Sequence, residues 1–356
     1  MTIIITEQDI INTYDKRQQE QCRLYYGYQR IKKENPTYGY KRIAKLLGHS
    51  YGKTRWWHAK KHIPVPIQTL IWLKEKNLIS LHIDHPQLPL IAKILGATFG
   101  DGGIFQNLNA IFLSSSELGA VKEFGEDLKI IFGKGIECNS RIIEGGEYGH
   151  SWCYQNTNRN IIRLFHALGA PIGKKSNIDI VVPAWIQNSP FIIKDEFFSS
   201  LFGGELGTPT IHKTQNRLTS LDIGMQVSLS QKEKAQKYLY QIADYLNEKG
   251  IKTGSIYSYL PDNLRVLLRL QISTEIENYY NFVKKIKLNY CQYKKVRLND
   301  TLSKFIKIKK QKYQDLLTKG YQEERIIQLL RLSKNSLKFI LNTKNNQRME
   351  IRNRQR

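Results

Sequence analysis

Leu90-Ile-Ala-Lys-Ile-Leu-Gly-Ala-Thr-Phe-Gly-Asp101-Gly-Gly-Ile104 is the stretch that decides the fold, together with its echo at Phe197-Phe-Ser-Ser-Leu-Phe-Gly-Gly-Glu205-Leu-Gly207. Each is an apolar helix seed stopped by a carboxylate followed closely by glycine. Gly96 and Gly100 stand at i and i+4, and so do Ser200 and Gly204, so each helix carries a smooth strip on one face. Small residues let two helix backbones approach closely. If the strips pack together, Asp101 and Glu205 arrive side by side at the negative ends of two helix dipoles. Two carboxylates there repel unless a cation intervenes, which predicts a divalent metal site on Asp101 and Glu205.

The surroundings of the two stretches match. Helix, two strands, helix, two strands, helix is the order read from residues 87 to 187, and it recurs from 188 to 298, with the acids 104 residues apart. In the second copy the pairs are His212 to Asn216 with Arg217 to Ser230, and Ile251 to Tyr259 with Arg265 to Ser273. The fold class is therefore α+β: two pseudo-symmetric αββαββα halves with curved antiparallel sheets, in one pseudo-two-fold monomer. Alternation in Arg265-Val-Leu-Leu-Arg-Leu-Gln-Ile-Ser273 turns Arg265, Arg269 and Gln271 away from the core. Arg and Gln bond guanine and adenine edges bidentately, and antiparallel ribbons fit the major groove. Gln106, Arg141, Lys213, Arg217, Gln226 and Tyr257 are further candidate DNA contacts, and Trp152, Tyr154 and Tyr259 offer aromatic surface for sugar or base.

The paired stretches resemble the signature helices of single-chain LAGLIDADG homing endonucleases over roughly residues 88 to 298. Asp101 and Glu205 fall on that family's metal-binding acid positions. Phe99 and Gly203 depart from the pattern two residues earlier, and Leu206 stands where glycine ordinarily follows the acid. The resemblance implies site-specific cleavage of both strands of a long, asymmetric duplex DNA target, with Mg²⁺ or Mn²⁺. Lys174-Lys175 after the last helix of copy one, and Lys294-Lys295 after that of copy two, resemble the family's active-site lysines. The alternative is a scaffold that binds without cutting, as a transcription regulator or an RNA-splicing maturase. An intein origin is disfavoured, since the chain shows no splicing nucleophile or terminal His-Asn.

Residues 1 to 86 and 299 to 356 read as helical flanks. Tyr40 to Gly48 and Gly52 to Lys61 form a helix-turn-helix pattern offering Lys53, Thr54, Arg55, Lys60 and Lys61 to a groove, and residues 323 to 341 form a second. Charge agrees with this division. The formal net charge is +24, of which +9 lies in residues 1 to 80 and +10 in residues 299 to 356, so the flanks are suited to phosphate and the middle to discrimination. Cys22, Cys138, Cys153 and Cys291 show no C-x-x-C pair, so neither a zinc site nor a disulfide framework is indicated. No signal peptide or bilayer-length apolar run is present, and the expectation is a soluble cytoplasmic protein.

Overall fold

The computed structural model describes residues 3–145, 150–212, 217–262 and 264–343. The chain begins with β1 (Ile3–Ile5), α1 (Glu7–Asn12), α2 (Lys16–Glu34), α3 (Tyr40–Leu47), α4 (Tyr51–His58), α5 (Val65–Glu75) and β2 (Leu81–His82), and β1 pairs antiparallel with β2. Periodicity alone suggests one helix from Gln8 to Lys33. It is two, because Asp15 caps α2 by accepting from the Gln18 backbone N–H at 2.8 Å.

Copy one continues the chain with α6 (Leu88–Phe99), β3 (Gly102–Ile104), β4 (Ile111–Ser115), α7 (Leu118–Phe132), β5 (Ser140–Glu144), β6 (Trp152–Asn156), α8 (Arg159–Ala167) and the short α9 (Ala184–Gln187). Copy two comprises α10 (Phe191–Glu205), β7 (Leu206–Gly207), β8 (Leu221–Ser228), α11 (Lys232–Glu248), β9 (Thr253–Tyr259), β10 (Arg265–Ile272) and α12 (Ile276–Lys285). The two sheets run β3-β4-β6-β5 and β7-β8-β10-β9, the same order twice, with every pairing antiparallel. The architecture is α+β, as the pattern of acids and elements predicts.

One strand is placed differently. The first strand of the second sheet is β7, directly after Glu205, and not His212 to Asn216. Around there only the isolated bridge Ile211–Leu218 forms, and residues 213–216, Lys213 among them, lie outside the described residues. β7 also accounts for Leu206. Its side chain is buried and its backbone pairs with Ile223, so a large apolar residue is accommodated where the first copy has Gly102. A Cβ at Gly102 would come within 2.6 Å of the Phe112 carbonyl oxygen.

After α12 the chain enters α13 (Gln292–Thr318), then α14 (Glu323–Leu330) and α15 (Lys334–Asn342). The boundary expected between 298 and 299 falls inside α13, a continuous helix of 27 residues. The flanks dock on corresponding helices of the two copies: α1 and α5 on α8, α13 and α15 on α12. Among the described residues no helix is long and apolar enough to cross a membrane.

Candidate active site

The α6–α10 contact builds the site. A Cβ at Gly96 would overlap the Phe197 carbonyl, and one at Gly204 would lie 2.7 Å from the Asp101 backbone nitrogen and 2.8 Å from the Gly100 Cα. One at Gly100 would meet the Gly204 Cα at 3.2 Å. Only glycine permits this approach, so the strip carries the chain past Gly100 and Gly204 with the two helix ends abutting. Ser200 is buried but turns elsewhere: its Oγ donates to the Glu196 carbonyl at 3.0 Å and accepts from Asn289 Nδ2 at 3.2 Å. Phe99 is core, meeting Phe197 edge-on at 5.1 Å between ring centroids.

The two acids lie within electrostatic reach of each other and of two lysines. Burial pushes the Glu205 carboxyl up, Lys175 pulls it down, Asp101 pushes it up again, and Lys294 opposes. Asp101 is exposed. Lys175 Nζ donates to the Gly100 carbonyl, one residue before Asp101, and Lys294 Nζ donates to the Gly204 carbonyl, one residue before Glu205. The same lysine–carbonyl–acid arrangement thus occurs once per copy. Burial lowers the Lys175 pKa against the opposing pull of Glu205 and Asp101. Of the adjacent lysines, Lys174 is exposed, while Lys295 lies in the first turn of α13 with its carbonyl accepting from Asn299 Nδ2 at 2.8 Å.

Residues invisible to motif reasoning hold this arrangement. Asn289 clamps the approach to Lys294 along α10: its backbone N–H donates to the Ser199 carbonyl at 3.0 Å, its side chain to Glu196 at 2.9 Å, and its own carbonyl fills the space left by Gly203. Each copy's long helix also grips the segment beyond the other copy's closing helix. Tyr290 donates to Asp127 of α7 at 2.5 Å, and Gln241 of α11 accepts from the Val182 backbone N–H at 2.9 Å. Asp127 is buried against Lys93 at 2.7 Å. Tyr238 packs 6.3 Å from Phe99, and its buried hydroxyl has no partner among the described residues. No spacing rule marks these residues, because all but the Lys93–Asp127 contact join segments more than 50 positions apart.

A metal would find a hard donor set here. Among the described residues no group of three or more His, Cys, Asp or Glu converges. The chain offers Asp101 and Glu205, with water and substrate oxygens left to complete a sphere, which is the usual pattern for Mg²⁺. Two carboxylates from abutting helix ends, Asp101 exposed and Glu205 half-buried, are oxygen donors of the kind such an ion takes.

The outer face of the second sheet is laid out in rows by register: Gly224–Arg269–Tyr257, Gln226–Leu267–Tyr259 and Asp222–Gln271. Gln226, Tyr257, Arg265 and Arg269 are exposed and Gln271 is half-buried. Arg269 is tied to Asp222 at 3.2 Å and Arg265 to Asp262 at 2.7 Å. Beside the first sheet Gln106, Asn107, Asn109, Arg141 and Gln155 surround a concavity, with Arg141 Nη2 and Nε donating to Gln155 Oε1 at 2.8 and 3.1 Å. Tyr154 is not on this face. It is buried against Phe124 and bonds Ser140 at 2.7 Å, while Trp152, two residues earlier, packs on the same core. In the N-terminal flank Lys53 and Arg55 are exposed on α4, whose Thr54 and Trp57 are buried. Lys60 lies beyond that helix, at φ 52°, because α4 ends at His58. Arg217 is exposed beside the second sheet.

No family model matches the chain. It is 30% identical over 244 residues to the tRNA-splicing ligase RtcB of Pyrococcus furiosus, covering 65% of this chain and 24% of the ligase. It is 29% identical over 197 residues to the DNA-directed RNA polymerase subunit Rpo1N of Methanocaldococcus jannaschii, covering 51% and 14%. It is 26% identical over 260 residues to the replication factor C small subunit of the same organism, covering 70% and 13%. The chain thus spans a quarter or less of each of these relatives' length. Among solved structures it is similar to I-DmoI in complex with DNA and Mn, at 16% identity and a TM-score of 0.36, covering 56% of this chain and 97% of that one. A complex of I-DmoI with DNA and Ca is similar at 15% identity and a TM-score of 0.35, covering 56% and 90%.

Proposed function

We propose that the protein is a metal-dependent, site-specific endonuclease of duplex DNA, monomeric, with one acid and one lysine per copy assigned to each strand. The observation that carries this reading is the repeated lysine–carbonyl–acid arrangement at two abutting helix ends, with Lys175 and Glu205 both half-buried. Asp101 and Glu205 would hold the metal. Bound there, a divalent ion would supply an activated water and neutralise the leaving oxygen of a phosphodiester. Lys175 and Lys294, fixed by the Gly100 and Gly204 carbonyls, would place positive charge where negative charge builds on the phosphate oxygens, without reorganisation during the reaction. Lys175 releases a proton more readily than a surface lysine, which suits it to serve the departing oxygen. The exposed rows of the second sheet and the concavity of the first would take the flanking base pairs.

The relatives bear on this in one way. Matches of 51%, 65% and 70% of one chain must overlap, and the three partners carry the names of a ligase, a polymerase subunit and a replication factor. A part common to all three, and a quarter or less of each, is best read as a module carried within them. RNA ligation is not transferred to this chain. A scaffold that binds DNA without cutting is the second reading, and the two basic helical flanks are what favour it.

The experiment is a supercoiled plasmid library challenged with and without Mg²⁺ or Mn²⁺, and then the Asp101→Asn variant on any plasmid that linearises. Cleavage should require the metal and fall at least about a hundredfold in the variant, with duplex binding kept. Full cutting by the variant, or cutting undiminished by chelator, removes the nuclease assignment.

A further inference from the structure

A second charged concavity lies between the second sheet and the C-terminal helix pair. It encloses 770 Å³, and Arg217, Gln271, Ser273, Lys309, Arg331 and Ser333 are among its walls. Gln271 belongs both to this cleft and to the exposed rows of the sheet, so the two surfaces are continuous.

Lys309 is the unusual member. It is 4% exposed, yet its Nζ has only the Leu330 carbonyl at 2.7 Å and the face of Phe305 at 5.1 Å for company. Among the described residues no carboxylate forms an ion pair with it. Burial, then the charges of Lys312 and Arg331, push its pKa down to about 8. An ammonium taken out of water without an acid is costly unless an anion visits. Arg331 adds a second anomaly. It ends α14 at φ 52°, a left-handed conformation that glycine adopts freely and arginine does not. The turn between α14 and α15 thus puts an arginine on the cleft wall at a position where glycine would be unstrained. The carboxylate on the rim, Glu275, is occupied by Lys252 at 3.3 Å.

We propose that this cleft binds the phosphodiester backbone of duplex DNA, with Lys309 and Arg331 as its principal cations. It rests on the DNA-binding reading above and extends it: α13, with the turn between α14 and α15, secures backbone phosphates just beyond the bases that the sheet faces, so its contribution is independent of sequence.

The test is fluorescence anisotropy of the full chain on a labelled duplex of arbitrary sequence over a salt series, for wild type, Lys309→Met and Arg331→Gly, with thermal denaturation of each. Each variant should bind about tenfold more weakly, and the slope of log K against log salt should become shallower by about one. Tm should stay unchanged or rise, because one substitution removes a buried charge and the other relieves the backbone. A residue there only for packing would show the opposite, a lower Tm with unaltered duplex affinity. Wild-type binding with unchanged affinity and slope in both variants overturns the cleft assignment and leaves DNA binding by the sheets standing. Failure of wild type to bind duplex at low salt overturns both. Inorganic phosphate is the second probe: if it raises the wild-type Tm but not that of Lys309→Met, while duplex affinity is unaffected, the cleft takes free phosphate instead and the backbone assignment falls.

Discussion

Glu205 is held where its charge is unwelcome. Its carboxyl is raised by burial and by Asp101, so the folded chain binds that proton more tightly than the unfolded one. The resulting stability is fully present below the ordinary glutamate pKa and is lost as pH rises through the raised value. In chelator, Glu205→Gln should therefore flatten the fall of Tm with rising pH and be the more stable protein at neutral pH. Mg²⁺ or Mn²⁺ should raise the wild-type Tm there and leave the variant unmoved. Wild type and variant with the same pH profile would mean that Glu205 is solvated like any surface acid. Lys175 shows how far the sequence alone reaches at this scale. That a lysine comes after each closing helix is visible in Lys174-Lys175 and Lys294-Lys295. Which member of each pair turns inward depends on where the Gly100 and Gly204 carbonyls come to rest.

The α6–α10 pair is the element on which both copies hang. A methyl group at Gly96 has nowhere to go, since it meets backbone rather than a side chain that can move aside. Gly96→Ala should cost about 1–3 kcal/mol or more in chemical denaturation and reduce cleavage with it. The same change at Gly119, where nothing lies within 4 Å, should be tolerated. A second element-scale contact is the grip of α7 on the approach to α13. Tyr290→Phe leaves buried Asp127 with Lys93 alone and should lower stability by about 1–2 kcal/mol. If the grip also aims Lys294, kcat should fall while duplex affinity holds; loss of both in proportion would indicate a purely structural tie. The glycine spacing announced the first of these contacts. Nothing local announced the second, because Asp127 and Tyr290 lie 163 positions apart.

At the scale of the molecule, charge and topology agree. The two basic flanks dock on α8 and α12, corresponding helices of the two copies, which places a basic helical unit beside each half. Lys53 and Arg55 stand exposed on α4. Replacing both with alanine should weaken binding by a similar factor on every duplex and reduce the salt slope by about two, with the position of any cut unchanged. A shift in cleavage site would instead mean that α4 selects sequence.

The amino-acid sequence by itself determined the features that periodicity and repetition can encode: two αββαββα units, their shared interface, the paired acids and the basic flanks. These are legible because strand alternation, helix spacing and the glycine strip are short-range properties, written twice. Tertiary structure alone decided which lysine of each pair bonds the carbonyl before each acid, that β7 begins at Leu206, that Tyr154 belongs to the core, and that Lys309 is buried with no carboxylate paired to it among the described residues. Each of these depends on segments distant in the chain excluding water from one another, and exclusion of water is a property of the packed whole that no window of sequence contains.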